Sequence, residues 1–391
     1  MMDVNMAELR ALLLDLVAIP SLGDRECGVV EYLACLFRMQ GIPFRITTVD
    51  GVPMNIVAQI GSGGRTLVLN THMDVVPPGE MDQWATDPFA PVESEGVVVG
   101  RGAADAKGSL AAMALACSEL ARRQRYLGGR VVFMAVGGEE RGGIGTKAEL
   151  DGDFHADAAI VGEPTGLVPM IAHKGVLRLR VRTFGKAAHA SSPEEGVNAV
   201  TAMARVVGNL DRLANSIADR ADTYTGRASL VVSTISGGIA RNVVPESCEI
   251  SVDRRVITGE SECSAAKEIT DVVHASLLPS RGERAEVEKV SFIPPSRTDL
   301  SDPIVSAACR AASEALGRPV EPTGFPATCD MSHLVHRASI PTVILGPGDI
   351  RVAHKANETL PLHEAALAVG VYLRTAQLWF AQQEPPSSLD R

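Results

Sequence analysis

The chain is predicted to be an α/β protein, with a mixed, mostly parallel sheet flanked by helices and a smaller α+β block set into it. Three observations predict this. Short apolar runs bounded by turns occur at Arg130–Ala135 and Ala158–Val161, as in strands buried on both faces. Helical patterns alternate with such runs. Near Val176 the periodicity switches to two: Leu177, Leu179 and Val181 alternate with Arg178, Arg180 and Arg182, which gives a strand one buried and one wet face.

Met6 to Ala18 is predicted as an amphipathic helix stopped by Pro20, and Gly28 to Met39 as a second, closed by Gly41. β-Rich runs follow at Phe44–Val49, Asn55–Ile60 and Thr66–Asn70, and Gly108 to Arg123 is helical. From Val176 the order is strand, helix (Asn198–Ile217), strand (Ser229–Ser236), strand (Ser247–Val256), helix (Ser261–Leu277), strand (Ala285–Phe292). That order predicts a ferredoxin-like sandwich. After Pro294-Pro295 helix and strand alternate again through Pro303–Leu316, Thr342–Leu345 and Leu362–Gln382. Candidate site residues lie on both sides of the middle block. The expected organisation is therefore residues 1–175 and 295–391 as one domain, with 176–294 inserted. The tail Glu384–Arg391 is expected to be disordered. The sequence contains no evident internal repeat or low-complexity tract.

Of the 391 residues, 46% are hydrophobic and 21% charged, enough apolar side chain for a sizeable core; aromatics are only 4%, so Val, Leu, Ile and Ala must build it. A net charge of −10 argues against nucleic acid as a partner. Seven scattered cysteines, without a C-x-x-C pair, read as free thiols of a reducing compartment. The start Met-Met-Asp-Val-Asn lacks the basic and apolar segments of a signal peptide, and no run approaches the ~20 apolar residues that cross a bilayer. A soluble cytoplasmic protein without a membrane partner is expected.

Five segments carry candidate chemistry. Leu67 to Asp74 is an apolar run ending in His72-Met73-Asp74. In parallel sheets functional residues gather at carboxyl ends of strands. An imidazole ligand there needs an acceptor to fix its ring, which Asp74 could supply; a surface His and Asp after a strand is the plain alternative. In Gly100 to Gly108, Asp105 could bridge two ions or simply cap the next helix. Gly137 to Gly143 sets Glu139 and Glu140 side by side in a glycine-rich turn. Adjacent acids repel unless cations neutralise them, and one could bind metal while the other moves protons; a solvated acidic turn is the alternative. Glu163 follows the strand ending at Val161, and His354 follows Thr342–Leu345 by a short loop; either could be a turn residue. Taken together, the set holds two His, three carboxylates and no Cys. It suits a hydrolytic pair of divalent ions, zinc first, with cobalt or manganese as substitutes.

In these segments the chain resembles the dizinc deacylase and exopeptidase family of acetylornithine deacetylase, succinyl-diaminopimelate desuccinylase, aminoacylase and glutamate carboxypeptidase. The matching strings are Thr71-His72-Met73-Asp74, Gly100 to Gly108, Gly138-Glu139-Glu140, Gly162-Glu163-Pro164 and Ala353-His354, and the likeness spans nearly the whole chain. It implies a zinc-exopeptidase-like catalytic domain, with Asp105 bridging both metals, His72 and Glu163 completing one site, and Glu140 and His354 the other. It implies Glu139 as general base and Asp74 as the partner of His72. A bound metal lowers the pKa of its water from about 15.7 to about 7, and a positioned base adds about 10²–10⁴ in rate.

The resemblance also makes the inserted block a lid and dimerisation domain. His189, in Gly185 to Ser191, would steady the oxyanion across a homodimer, and Asn242 and Arg255 would grip substrate. Without the family, His189 is a loop histidine and Arg255 a surface strand residue. The sequence departs at Gly324 to Ser332, where relatives often carry a Thr-Asp-Ala type loop beside the substrate. Cys329 and Met331 make that loop more apolar. A packed thiol at Cys329 is the simpler reading against a further metal ligand. The expected activity is hydrolysis of the amide of an N-acyl amino acid. A carboxypeptidase or dipeptidase with the same metals is the alternative, and a non-catalytic amino-acid or peptide binder a third reading. An intact Glu139 argues against the last.

Overall fold

The computed structural model describes residues 4–23, 25–123, 128–152 and 154–382; the tail 384–391 expected to be disordered lies outside them. The chain divides into two compact units. The first comprises Met1–Ala172, Arg297–Phe325 and Cys329–Arg391, and the second His173–Ser296 with Pro326–Thr328.

The first unit is built on a nine-stranded mixed sheet. From one edge the order is Phe44–Val49, Val52–Gly61, Gly129–Val136, Arg65–His72, Ala158–Val161 and Thr342–Ile344, with Met170–His173 and two short strands beyond. Its four inner strands are parallel: Arg65–His72 pairs with Gly129–Val136 and with Ala158–Val161, which pairs with Thr342–Ile344. The reason is in the residues. Leu67, Val68, Leu69, Val131, Phe133, Ala159 and Ile160 are buried with little or no alternation, as strands covered on both faces require. The Ala-rich helix Gly108–Arg123 is buried along most of its length, because small side chains let it lie close to its neighbours.

The parallel register stacks the carboxyl ends. His72 stands opposite Val136, Asn70 opposite Val161, and Val161 opposite Ile344. The loops after four adjacent strands therefore open at one edge of the sheet, where open α/β sheets hold their ligands. A separate small sheet, absent from the sequence-based expectations, pairs Thr359–Pro361 with Val97–Val99 and that strand with Val92–Ser94.

In the second unit the strands Gly175–Phe184, Ser229–Gly237, Ser247–Val256 and Arg284–Ile293 form an antiparallel sheet with the helices Ala199–Ile217 and Glu262–Ala275. Leu177, Leu179 and Val181 join Val206, Leu210, Ile250 and Ile269 in its core. On the wet face Arg178, Arg180 and Arg182 reach Asp253, Glu288 and Glu249 across the strands at 3.3, 3.2 and 2.6 Å. Such exposed pairs add little stability but suit a solvated sheet face.

Among the described residues no helix is long and apolar enough to cross a membrane. All seven cysteines are free; Cys117, Cys248 and Cys329 are buried, and Cys35 and Cys263 exposed.

Candidate metal centre

The candidate residues of the first unit other than Asp105 sit at strand ends or in the loops that follow them. His72 closes its strand, Glu139 and Glu140 follow Val136 by a Gly-Gly turn, Glu163 follows Val161 by one glycine, and His354 lies beyond Ile344. Two turns depend on glycine. Gly138 has φ of 73°, and Gly143, with the same φ, has no room for a Cβ because the His333 ring and Asp330 Oδ1 occupy that space. His354 itself has φ of 62°, uncommon for a residue with a side chain.

Asp105 does not cap the next helix. It lies in the turn Ala103–Lys107 with extended dihedrals (φ −122°, ψ 91°), and the helix begins at Gly108. Its two oxygens face different imidazoles. Oδ1 is 3.2 Å from His72 Nε2, and Oδ2 is 3.2 Å from His354 Nε2. Glu163 Oε1 lies 3.8 Å from the same His72 nitrogen, and Glu140 Oε1 lies 2.8 Å from His354 Nε2. Two triads result, His72–Asp105–Glu163 and Asp105–Glu140–His354, each with its ligand atoms within 4.8 Å of one another. Ligands bound at ~2.0–2.2 Å around a tetrahedral ion lie roughly 3.4 Å apart, so the observed spacings fit. The donors are imidazole and carboxylate without thiolate, the mixture that holds hydrolytic divalent ions.

The electrostatics support the same fit. Burial pushes the Glu163 carboxyl well up, and the Asp105 and Glu140 charges push it further. Glu139 is raised well above the usual carboxylate value by desolvation and by Asp330, Glu163 and Glu140, against the pull of His72. Burial alone would lower His72, but the Asp105 hydrogen bond and the Glu163 charge raise it well above 6.5. Bonds to Asp105 and Glu140 raise His354 to about 10. So many acids crowded together hold protons that bound cations would replace.

His72 Nδ1 lies 2.9 Å from the carbonyl oxygen of Asp74. A carbonyl only accepts, so Nδ1 carries a proton in either charge state; Nε2 donates to Asp105 while the ring is charged, and in the neutral ring it has the lone pair that would meet a metal. The residue expected to orient His72 thus does so through its backbone, while its carboxylate oxygen stands 3.8 Å away. That carboxylate instead accepts the N–H of Glu139 on Oδ1 and of Glu140 on Oδ2, both at 3.1 Å.

Two supporting residues escaped the sequence reading. Asn55 Oδ1 accepts the Gly137 N–H at 3.2 Å, while its Nδ2 donates to Gly145 O and Glu149, which knits the acidic turn to the helix behind it. Asp330 is buried, accepts from Thr146 Oγ1 at 2.6 Å, and is raised to about 6 by burial. An Asn inside a strand and an Asp beyond a short strand carry no local pattern; only the nearby Thr-Cys-Asp string marked the latter. Cys329 is 3% exposed, its thiol is pushed well up by burial, and it belongs to neither triad.

In the second unit His189 and Asn242 are neighbours. Ala190 N–H donates to Asn242 O at 2.9 Å, His189 bridges to Val243, and the His189 side chain is exposed with Nδ1 2.7 Å from Ser191 Oγ. Arg255 is not with them. It stands eight residues along the strand from Ser247, roughly 27 Å at 3.3–3.4 Å per residue, and its Nε donates to Asp253 Oδ1 at 2.7 Å.

A sheet edge that gathers two imidazoles and two glutamates around one shared Asp is the donor arrangement of a metallohydrolase. Residues 68–378 match the model of peptidase family M20/M25/M40, and the chain belongs to that family. It is a hydrolase of amide bonds. It is 29% identical over 376 residues to a probable succinyl-diaminopimelate desuccinylase of Staphylococcus epidermidis, covering 89% of this chain and 91% of the relative. It is 28% identical over 381 residues to an acetylornithine deacetylase of Proteus mirabilis, covering 92% and 94%. Among solved structures, a tripeptidase from Staphylococcus aureus superposes with a TM-score of 0.81 at 24% identity, covering 97% of this chain and all (100%) of that one. That likeness is one of fold.

Proposed function

We propose that the protein cleaves the amide of an N-acyl amino acid, of the acetylornithine or succinyl-diaminopimelate kind, with two divalent ions per chain. The observation that carries this is the division of Asp105 between His72 and His354, which places one carboxylate in both triads. His72 and Glu163 hold one ion with Asp105; Glu140 and His354 hold the other. Zinc suits these nitrogen and oxygen donors, and cobalt or manganese would substitute. When bound, the ions polarise the acyl carbonyl and make the attacking water acidic.

The residues of the chain do the rest. Glu139 is held beside the triads by its backbone bond to Asp74, takes the proton of the attacking water and returns it to the leaving amine. His72 keeps a fixed tautomer through Asp74 O. His189 and Asn242, adjacent in the second unit, are assigned to the developing oxyanion and the substrate carbonyl, and Arg255 to a substrate carboxylate.

We also assign a homodimer. Ser229–Gly237 forms an edge of the second unit's sheet, and Val231 and Ile235 are 55% and 60% exposed along it. An exposed apolar edge invites strand pairing, here with a second copy. Free thiols, two of them exposed, suit a reducing cytoplasm.

The test is an activity screen with and without chelator. It offers N-acetyl, N-succinyl and N-formyl amino acids beside dipeptides and tripeptides. Chelator-sensitive release of amine from an N-acyl amino acid is expected. Turnover confined to peptides would make the protein an exopeptidase, and turnover unaffected by chelator would overturn the metal-dependent reading.

A further inference from the structure

We propose that Glu358 positions the shared carboxylate of Asp105, and so sets how tightly the Asp105–Glu140–His354 triad holds its ion. The proposal rests on the paired-ion reading above.

Glu358 follows His354 by four residues and leads into the strand Thr359–Pro361, whose pairing with Val97–Val99 brings it against the loop that carries Asp105. It is 1% exposed, as is Arg101. Its carbonyl accepts the Gly100 N–H at 3.0 Å. Its carboxylate accepts four more donors, two on each oxygen. Oε2 takes Arg101 Nη1 at 2.6 Å and Gly102 N–H at 3.1 Å; Oε1 takes the N–H groups of Ala104 and Asp105, both at 2.9 Å.

That loop needs an outside acceptor. Asp105 and Ala106 depart from helical dihedrals, so the turn cannot satisfy all its own N–H groups. Glu358 takes them, and Arg101 balances its charge. The direction in which Asp105 points its side chain follows from the backbone at Asp105, and the Glu358 carboxylate holds that backbone by accepting the Asp105 N–H. Glu358 also shares a segment with His354, whose Nε2 meets Asp105 Oδ2. One side chain thus ties the shared ligand to a second ligand of the same triad. Asn357 fixes the segment from the other side, donating to Gln83 O at 2.9 Å and accepting the Ala85 N–H at 2.7 Å.

A carboxamide cannot replace this carboxylate. Whichever way Glu358→Gln is turned, its NH2 meets two donors, either Arg101 with Gly102 N–H or the Ala104 and Asp105 N–H groups.

The experiment titrates cobalt(II) into metal-free wild type, Glu358→Gln and Glu358→Asp, followed by calorimetry and by the visible absorption of bound cobalt. Circular dichroism and thermal unfolding of the metal-free proteins report the fold. Wild type is expected to take two equivalents. Glu358→Gln is expected to fold and to bind one equivalent about 10–100-fold more weakly, the range seen when a ligand's hydrogen-bond partner is lost, with an altered cobalt spectrum. Its kcat is expected to fall with KM little changed. Glu358→Asp keeps the charge for Arg101 but draws the oxygens back by about 1.5 Å, and is expected to show the same loss if Glu358→Gln fails to fold. Wild-type affinity, spectrum and kcat in either folded variant would overturn the proposal. Failure of both variants to fold would also overturn it, since Glu358 would then serve the domain as a whole. A wild type that binds no cobalt would instead bring down the paired-ion reading, and this inference with it.

Discussion

The carboxylate of Asp74 accepts the backbone N–H of Glu139 at 3.1 Å, and its other oxygen accepts that of Glu140 at the same distance. One buried side chain therefore fixes the backbone that carries both the proposed base and a proposed ligand. Asp74→Asn puts an NH2 against one of those donors. It is expected to lower kcat about 10–100-fold, as loss of a ligand's supporting bond does, while His72 keeps its carbonyl partner. Steady-state kinetics with metal analysis checks this; unchanged kcat would show that the acidic turn holds its shape without Asp74.

Glu139 is assigned proton transfer and no ligand role. Glu139→Ala is therefore expected to keep the wild-type metal content and lose about 10²–10⁴ in turnover. Full retention of activity would remove Glu139 as the base, and loss of metal would make it a ligand.

The sequence made much of this legible because its signals were local. Continuous apolar runs ending in His or carboxylate marked the parallel strands and their chemistry together, and alternation from Leu177 to Arg182 marked the second unit's sheet. What escaped was non-local. Asn55 joins the turn at Gly137 from a strand some eighty residues earlier, and the short sheet that brings Glu358 to Asp105 pairs segments from opposite ends of the chain. Short strands of Val and Thr without strong alternation carry little pattern, and hydrogen bonds to backbone N–H leave none. The orientation of Asp74 shows the same limit: the pair His72-Asp74 suggested a carboxylate on the imidazole, whereas the carboxylate reaches the next loop.

Stability of the metal-free protein should fall as pH rises. His354 is raised from 6.5 to about 10, so its contribution is fully present below about pH 6.5 and is lost as pH climbs through about 10. His72, also raised, acts in the same sense. Added zinc should reverse the trend, because its ligands must be deprotonated. Thermal unfolding between pH 6 and 10, with and without zinc, checks this. A metal-free protein more stable at high pH would show that protons do not hold the acidic cluster together.

The two triads differ in exposure. His72 and Glu163 are 2% and 4% exposed, whereas the His354 side chain is 53% exposed. Chelator should therefore remove one ion quickly from the Asp105–Glu140–His354 triad and the other more slowly. Ion content followed over time is expected to show two phases, and a single phase accounting for both ions would contradict the assignment.

The most direct measurement is metal content by elemental analysis of purified wild type and of Asp105→Ala. The expected result is two transition-metal ions per chain in wild type, falling below one in Asp105→Ala, since both triads lose the ligand they share. A wild type without bound ions, or an Asp105→Ala protein that still holds two, would contradict the account.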